Sequence, residues 1–323
     1  MIFLAGAVIL FDYFAGIEMM TENKMVQADQ LTRFMFDDCP VRGLQVNLQQ
    51  VWRHVAANKV YPKAIHQALG ELTVAAVLLA SNLKFDGNLI VQVQGKGILK
   101  MLVAEATSAA TCRATARWDE SAVIDDNMTL VDLLGEGGMF VLTLQPSQGE
   151  SWQGMVELSG SSIAQMLMNY MARSEQLATY IMLAADDEHV SGLLLQKLPE
   201  QDIDEDSWTE LSALSETLTA DELLRLDVQT LLFRLFHEHE LRVFTPQNVE
   251  FSCTCSRAKV GDMLLLLGGQ EVGEAVAEQG SIEVNCDFCH ARYVFDEADV
   301  NSLFGTDIVA TAQEELAARQ LNH

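Results

Sequence analysis

Four of the six cysteines stand in two tight pairs, Cys253/Cys255 in FSCTCSRAKV and Cys286/Cys289 in VNCDFCHARY. One residue separates the members of the first pair and two separate those of the second, with thirty residues between the pairs. Such spacing reads as a metal site, a disulfide site, or a site that changes between the two. A structural zinc ion asks for four soft ligands in a tetrahedron. A tight pair supplies two thiolates from one turn, and a second pair brought in from a distance closes the site. Binding of that kind, ~10–16 kcal/mol near neutral pH, becomes folding energy for the surrounding unit. Thiolates are also the nucleophilic form of cysteine, so oxidants can convert them to disulfides and eject the metal. At this point a purely structural zinc knuckle and a redox-active site both stay open.

The remaining reactive groups carry weaker signals. Cys39 and Cys112 stand alone and read as small, partly buried hydrophobes. His290 follows Cys289 directly, but four thiols leave no ligand position for it. HEHE (237–240) is not a His-Glu-x-x-His zinc-protease signature, and His237 and His239 are expected to be solvated among their acidic neighbours. GKG (95–97) and GEGG (135–138) match no phosphate-binding fingerprint and read as turns. No serine, cysteine or carboxylate constellation suggests catalysis, so the chain is not read as an enzyme.

The rest of the chain must position the four thiols. Its 323 residues are 49% hydrophobic, enough to bury a sizeable core. A formal charge of −26, from 46 acidic and 20 basic side chains, repels nucleic-acid phosphate and offers no basic face to a membrane. Cysteine usage shows no disulfide framework and points to a reducing compartment. The first twenty residues, MIFLAGAVILFDYFAGIEMM, are strongly apolar, yet no Lys or Arg precedes the run and Asp12 interrupts it. That is a poor signal peptide and a marginal membrane span. Residues 1–26 are expected to be a non-native start or disordered, with an anchor or export segment as the alternative.

Residues 27–198 mix helix and strand patterns. The stretches 46–59 and 64–83 read as helices, the second apolar enough to be buried. Asp86-Gly87 is a hairpin-type turn signal before the alternating LIVQVQ. TCRATARW, MFVLTLQP and WQGMVELSG are strand candidates, 161–177 returns to helix, and GLLLQKLP closes the region as a strand. Sheet followed by helix, with hairpins, argues an α+β fold. Residues 199–250 differ: thirteen acidic residues against three arginines give a net −10. TADE (219–222) fits a capping box, and Leu223, Leu226, Leu231, Leu235 and Phe236 supply an apolar face. Such a helical acidic linker has little core of its own and needs a surface to dock on. Residues 251–305 form a small zinc-binding domain with its own apolar residues, DMLLLLGG, Val284, Tyr293 and Phe295. Residues 306–323 are a tail.

The order Cys-x-Cys, then Cys-x-x-Cys about thirty residues on, resembles the C-terminal zinc centre of the redox-regulated 33 kDa chaperonin family. Ordinary zinc ribbons use two Cys-x-x-Cys pairs. The resemblance runs from about Gln27 to Phe304 and includes VRG (41–43), LKFDG (83–87), RSEQL (173–177) and VEFSCTCSR (249–257). It implies a cytoplasmic chaperone that acts without ATP on unfolding client proteins, with an N-terminal client-binding and dimerisation domain. Reduced, it would hold zinc through Cys253, Cys255, Cys286 and Cys289 and be inactive. Oxidation would pair Cys253 with Cys255 and Cys286 with Cys289, release the metal, unfold the zinc domain and linker, and give an active homodimer.

Two other readings compete. A nucleic-acid-binding zinc protein predicts basic residues near the cysteines, but 251–323 holds twelve acids and four bases. A thiol-disulfide oxidoreductase using CDFC predicts a βαβ setting with its leading cysteine at a helix N-terminus. Cys286 instead follows the strand-like SIEVN, and the other pair would be unexplained.

Overall fold

The structure is a computed structural model that describes residues 29–57, 59–83, 85–125, 127–198 and 205–313. The apolar extension 1–26 and most of the tail lie outside the described residues. The chain divides into two compact units that meet at Ser252 and Cys253.

The first unit opens with β1 (Gln30–Phe36), β2 (Val41–Leu48), α1 (Gln50–Ala56) and α2 (Lys63–Asn82). There follow β3 (Gly87–Gln94), β4 (Leu99–Thr107), β5 (Thr111–Trp118), α3 (Leu130–Leu134), β6 (Met139–Pro146) and β7 (Trp152–Glu157). Next come α4 (Ile163–Tyr170), a π-helical turn (Met171–Glu175), β8 (Thr179–Ala185) and β9 (Val190–Lys197). Helices α5 (Glu205–Glu216), α6 (Ala220–Arg225) and α7 (Val228–Phe236) precede the short strands β10 (Leu241–Val243), β11 (Gln247–Asn248) and β12 (Glu250–Phe251).

These strands form two sheets. One runs β10-β1-β2-β9-β8, with β11 also on β1, and is antiparallel throughout. The other runs β12-β5-β4-β3-β6-β7, antiparallel except where β12 joins β5. The fold is α+β, as the pattern of strand runs and helices requires. Helix α2 lies between the sheets, packing on β3, β4 and β5 of one and on β2, β8 and β9 of the other. A helix apolar all round is stable only when buried on every side. Among the described residues, α2 is the one helix long and apolar enough to cross a membrane, but 72% of its apolar window is buried inside this fold. Gly192 on β9 permits that approach, since a Cβ there would sit 2.5 Å from Val74 Cγ1.

The outer face of the first sheet is covered by α5–α7. Leu211, Leu218, Leu223, Leu231, Leu232 and Phe236 are buried against Phe34, Phe36, Val41, Leu193 and Leu195. Gly43 on β2 makes room for the Phe34 ring, which would stand 2.0 Å from a Cβ. The apolar face read from sequence is the docked one, with Leu235 buried as well and Leu226 packed at its edge. The capping box forms as its motif predicts: Thr219 Oγ1 accepts from the Glu222 N–H at 3.3 Å, and the Glu222 carboxylate accepts from the Thr219 N–H at 3.0 Å.

Three expectations need correction. Residues 46–48 belong to β2, not to the following helix, which starts at Gln50. Asp86-Gly87 joins a helix to a strand and is not a hairpin turn. Its Asp86 side chain accepts from Ser108 Oγ at 3.0 Å, and its carbonyl accepts from the Ser147 N–H at 2.8 Å. The helix expected over 161–177 is regular only to Tyr170, and Gln176 then leaves the π turn with φ 55°.

The second unit comprises α8 (Arg257–Leu267), α9 (Gly269–Gln279), the hairpin β13 (Ser281–Asn285) and β14 (Arg292–Asp296), and α10 (Glu297–Phe304). Its core holds six buried residues: Leu264, Val272, Val276, Phe295, Val300 and Val309. Of the DMLLLLGG run only Leu264 is buried there, and Leu266 is 88% exposed.

Candidate metal centre

The four cysteines converge. Their Sγ atoms all lie within 4.8 Å of one another, and they are the residues of a cluster that could hold a metal ion. Sulfurs of different pairs are in contact, Cys253 with Cys286 at 3.7 Å and Cys255 with Cys289 at 3.3 Å. Both exceed the ~2.05 Å of a disulfide, so these sulfurs meet as thiols.

Local structure explains the convergence. The β13–β14 hairpin ends its register at Asn285 and Arg292, and the loop between them carries CDFC. The Cys286 N–H donates to Ala291 O at 3.0 Å, and the His290 N–H donates to Cys286 O at 2.9 Å. Together with φ 55° at His290 these bonds fold the loop back on itself. Backbone N–H groups of Phe288 and Cys289 also point at the Cys286 sulfur. On the other side, Ser256 caps α8 by accepting from the Lys259 N–H at 3.2 Å, which places Cys255 just before a helix N-terminus.

Two side chains complete the site: Tyr293, read from sequence only as an apolar residue of the small domain, and Arg257, read without a role. The Tyr293 hydroxyl donates to Cys255 Sγ at 3.1 Å, and that bond pushes the Tyr293 phenol up to about 12. Arg257, two residues after Cys255, donates to Val294 O at 2.7 Å, pairs with Asp299 at 2.6 Å and lies 4.2 Å over the Phe295 ring. It ties the start of α8 to β14 and α10. Its place beside the first pair was the only signal available. His290 belongs to the loop but not to the cluster.

Burial pushes the Cys289 thiol up to about 12, opposed by the Ala291 N–H and reinforced by the neighbouring sulfurs, and burial likewise raises Cys286. Four thiols so close cannot all ionise beside one another; a bound cation supplies the charge that lets them. The lone cysteines lie elsewhere. Burial pushes Cys112 up to about 12, and burial with the Asp38 charge pushes Cys39 up to about 11, which disfavours the thiolate at both. The expectation of solvated histidines fails for His239. Its Nδ1 lies 2.8 Å from the Asp38 carboxylate, and its ring stands edge-on to Phe36 at 5.6 Å.

The family model described as Hsp33 protein matches residues 29–296. This chain belongs to the Hsp33 family. It is 64% identical to the 33 kDa chaperonin of Neisseria meningitidis serogroup A over 294 residues, covering 91% of this chain and 97% of that one. It is 51% identical to the 33 kDa chaperonin of Chromobacterium violaceum over 288 residues, covering 88% of this chain and 97% of that one. The crystal structure of the 33 kDa chaperonin (heat shock protein 33 homologue) of Thermotoga maritima superimposes with a TM-score of 0.74 at 22% identity. It covers 86% of this chain and 98% of that one, and shows the same fold. Membership of the Hsp33 family gives the chain a chaperone role.

Proposed function

We propose that this chain is an ATP-independent, cytoplasmic holdase that oxidation switches on. Cys253, Cys255, Cys286 and Cys289 would hold one zinc ion in the reduced, inactive form. The observation that carries the reading is the meeting of four sulfurs within 4.8 Å on a unit whose described core cluster holds six buried residues. Four sulfurs at ~2.3 Å from one zinc stand about 3.8 Å apart, close to the separations found here. Bound zinc would neutralise the thiolates and supply the folding energy that so small a core lacks.

Peroxide would oxidise the cluster in two balanced steps. Each local pair of thiolates, Cys253 with Cys255 and Cys286 with Cys289, would give up two electrons as one S–S bond forms, and one peroxide would take those electrons and two protons from solvent to become two waters. With all four sulfurs in disulfides, no thiolate would remain to hold zinc. Helices α5–α7 pack on the first sheet largely through side chains contributed by one face each, so local opening is open to them. Opening would uncover apolar surface for unfolding clients, and the active form would be a homodimer.

The test follows zinc, thiols and function together. Peroxide should release one zinc per chain and consume four thiols while light scattering of a heat-unfolding client falls. Replacing both Cys39 and Cys112 by serine should leave this intact. Zinc release without any gain in client protection would reduce the centre to a structural knuckle. Retention of stoichiometric zinc after replacing all four clustered cysteines would place the metal elsewhere.

A further inference from the structure

The first unit contains a cavity of about 160 Å³ whose walls come from α2, β2, β6, β7, β9 and the end of α4. It lies among residues that the metal centre does not use. Leu79, Leu142, Leu144, Trp152 and Met171 make it apolar. Three stretches that carried the family resemblance also reach it: Arg42 of VRG, Leu83 of LKFDG, and Glu175 with Leu177 of RSEQL.

Its polar groups are left incomplete in a specific way. Arg42, Gln196 and Thr179 form one row across β2, β9 and β8. The Arg42 guanidinium and the Asn82 amide both donate to Gln196 Oε1, at 2.6 and 2.9 Å, and Gln196 Nε2 donates to Thr179 Oγ1 at 2.9 Å. Gln196 is fully buried and Asn82 is 7% exposed. Arg42 Nε and Asn82 Oδ1 are buried and have no partner. No carboxylate among the described residues pairs with Arg42, and burial alone lowers its pKa. Buried polar groups are rarely left so, and a guanidinium without a counter-ion in an apolar wall calls for an anion. The orphan donor asks for an acceptor, and the orphan acceptor asks for an N–H or O–H.

We propose that this cavity binds the carboxyl-terminal residue of a peptide. Such a residue brings a carboxylate for Arg42, an amide N–H for Asn82 Oδ1 and an apolar side chain for the leucine and tryptophan wall. The volume suits one such side chain, being close to the ~150 Å³ of a cavity that accepts benzene. Glu175 stands exposed at the edge, where its carboxylate accepts from the Tyr170 hydroxyl at 3.1 Å. Its like charge weakens a bound carboxylate. A free apolar acid shares the anion and the apolar body but lacks the donor. The reading above enters only through the source of the peptide, an unfolding client; binding at this cavity does not involve the cysteines.

The experiment is titration of the full-length, reduced, zinc-loaded chain with a labelled hexapeptide ending in leucine, as free acid and as carboxyl-terminal amide. Saturable binding is expected, at least tenfold tighter for the acid. Arg42→Gln should erase that preference. Leu83→Trp, at a 38% exposed position, should block the cavity without touching the buried row, which keeps the test sound if Arg42→Gln folds poorly. Glu175→Gln should tighten acid binding a few-fold. Octanoate should compete only at much higher concentration. Equal binding of acid and amide, absence of saturable binding, or acid preference surviving both Arg42→Gln and Leu83→Trp overturns the assignment. Octanoate competing as well as the peptide acid overturns it in favour of free acids. None of these outcomes changes zinc release on oxidation, so failure here and failure of the redox reading are separate results.

Discussion

The first unit encloses α2 between two six-stranded sheets and buries fourteen of its twenty residues. The second gathers short helices and one hairpin around a described cluster of six buried apolar side chains. Removal of apolar surface from water explains the first. It does not suffice for the second, where the fold is small for the surface it must order. The four clustered sulfurs stand where a larger core would otherwise be needed. Between these extremes lie α5–α7, which bury their apolar face on a sheet they did not build. A region's source of stability thus decides what can switch it. A packed core responds to temperature, whereas a thiol cluster responds to oxidants and chelators.

Substitutions can break or sharpen this contrast. Cys286→Ser should have the largest effect, abolishing stoichiometric zinc and with it binding energy on the order of 10 kcal/mol. Hydrogen exchange should then show 253–313 unprotected while α2 keeps its protection. Equal protection of the second unit with and without metal would end the contrast. Leu231→Glu is next. It places a charge against Phe34 and Leu193 on the sheet face, at a cost above about 4 kcal/mol. Reduced, zinc-replete Leu231→Glu should suppress client aggregation and exchange freely over 205–236. Free exchange without activity would move the gate away from these helices.

Leu72→Ala in α2 should cost about 2–5 kcal/mol by denaturant unfolding and leave zinc content unchanged. Glu71 gives a pH-dependent version of the same measurement. Burial pushes its carboxyl from 4.5 up to about 7, opposed by a hydrogen bond from Gln67 at 3.1 Å. Because the folded value is the higher one, its contribution is complete below about 4.5 and is lost as pH rises through about 7. Glu71→Gln should therefore flatten the stability profile between those values and add about 1–3 kcal/mol at pH 8. An unchanged profile would show that water reaches this carboxylate. Thr219→Ala, which removes the α6 cap, should cost only about 1 kcal/mol, seen as a small fall in melting temperature with metal content intact.

Much of the site was legible because its signal is local. Two cysteine spacings suffice to suggest a cluster, and they are independent of the rest of the fold. α2, β5 and β6 were legible because their apolar patterns are unbroken. The first sheet was harder. β2 carries Gln45 and Asn47 at buried positions, where Gln45 donates to Ser191 across the sheet at 3.2 Å. Polar residues there hide the strand alternation, and Val46 and Leu48 then extend the spacing of the next helix backwards. β1 and β8 were missed although each pairs with the strand that follows it, β2 and β9. His239 was misread because the groups that bury it, Phe36 and Asp38, lie some two hundred residues away. Tyr293 and Arg257 act through contacts that no local pattern encodes.

Two close sulfur contacts join different pairs, across 33 and 34 positions in sequence. A cross-link at that range closes a loop of over thirty residues and withholds about 4 kcal/mol of chain entropy from the open state. In the proposed oxidised form, each disulfide would close a loop of only three or four residues, worth about 2 kcal/mol and confined to its own turn. Every sulfur would still be bonded, yet nothing would join Cys255 to Cys286 except the polypeptide between them. Four metal–sulfur bonds would give way to two sulfur–sulfur bonds, and the distance along the chain over which they act would shrink nearly tenfold. Such a centre reports oxidation through chain connectivity, and a reductant that reopens both small loops would return the long-range tether with no help from the client.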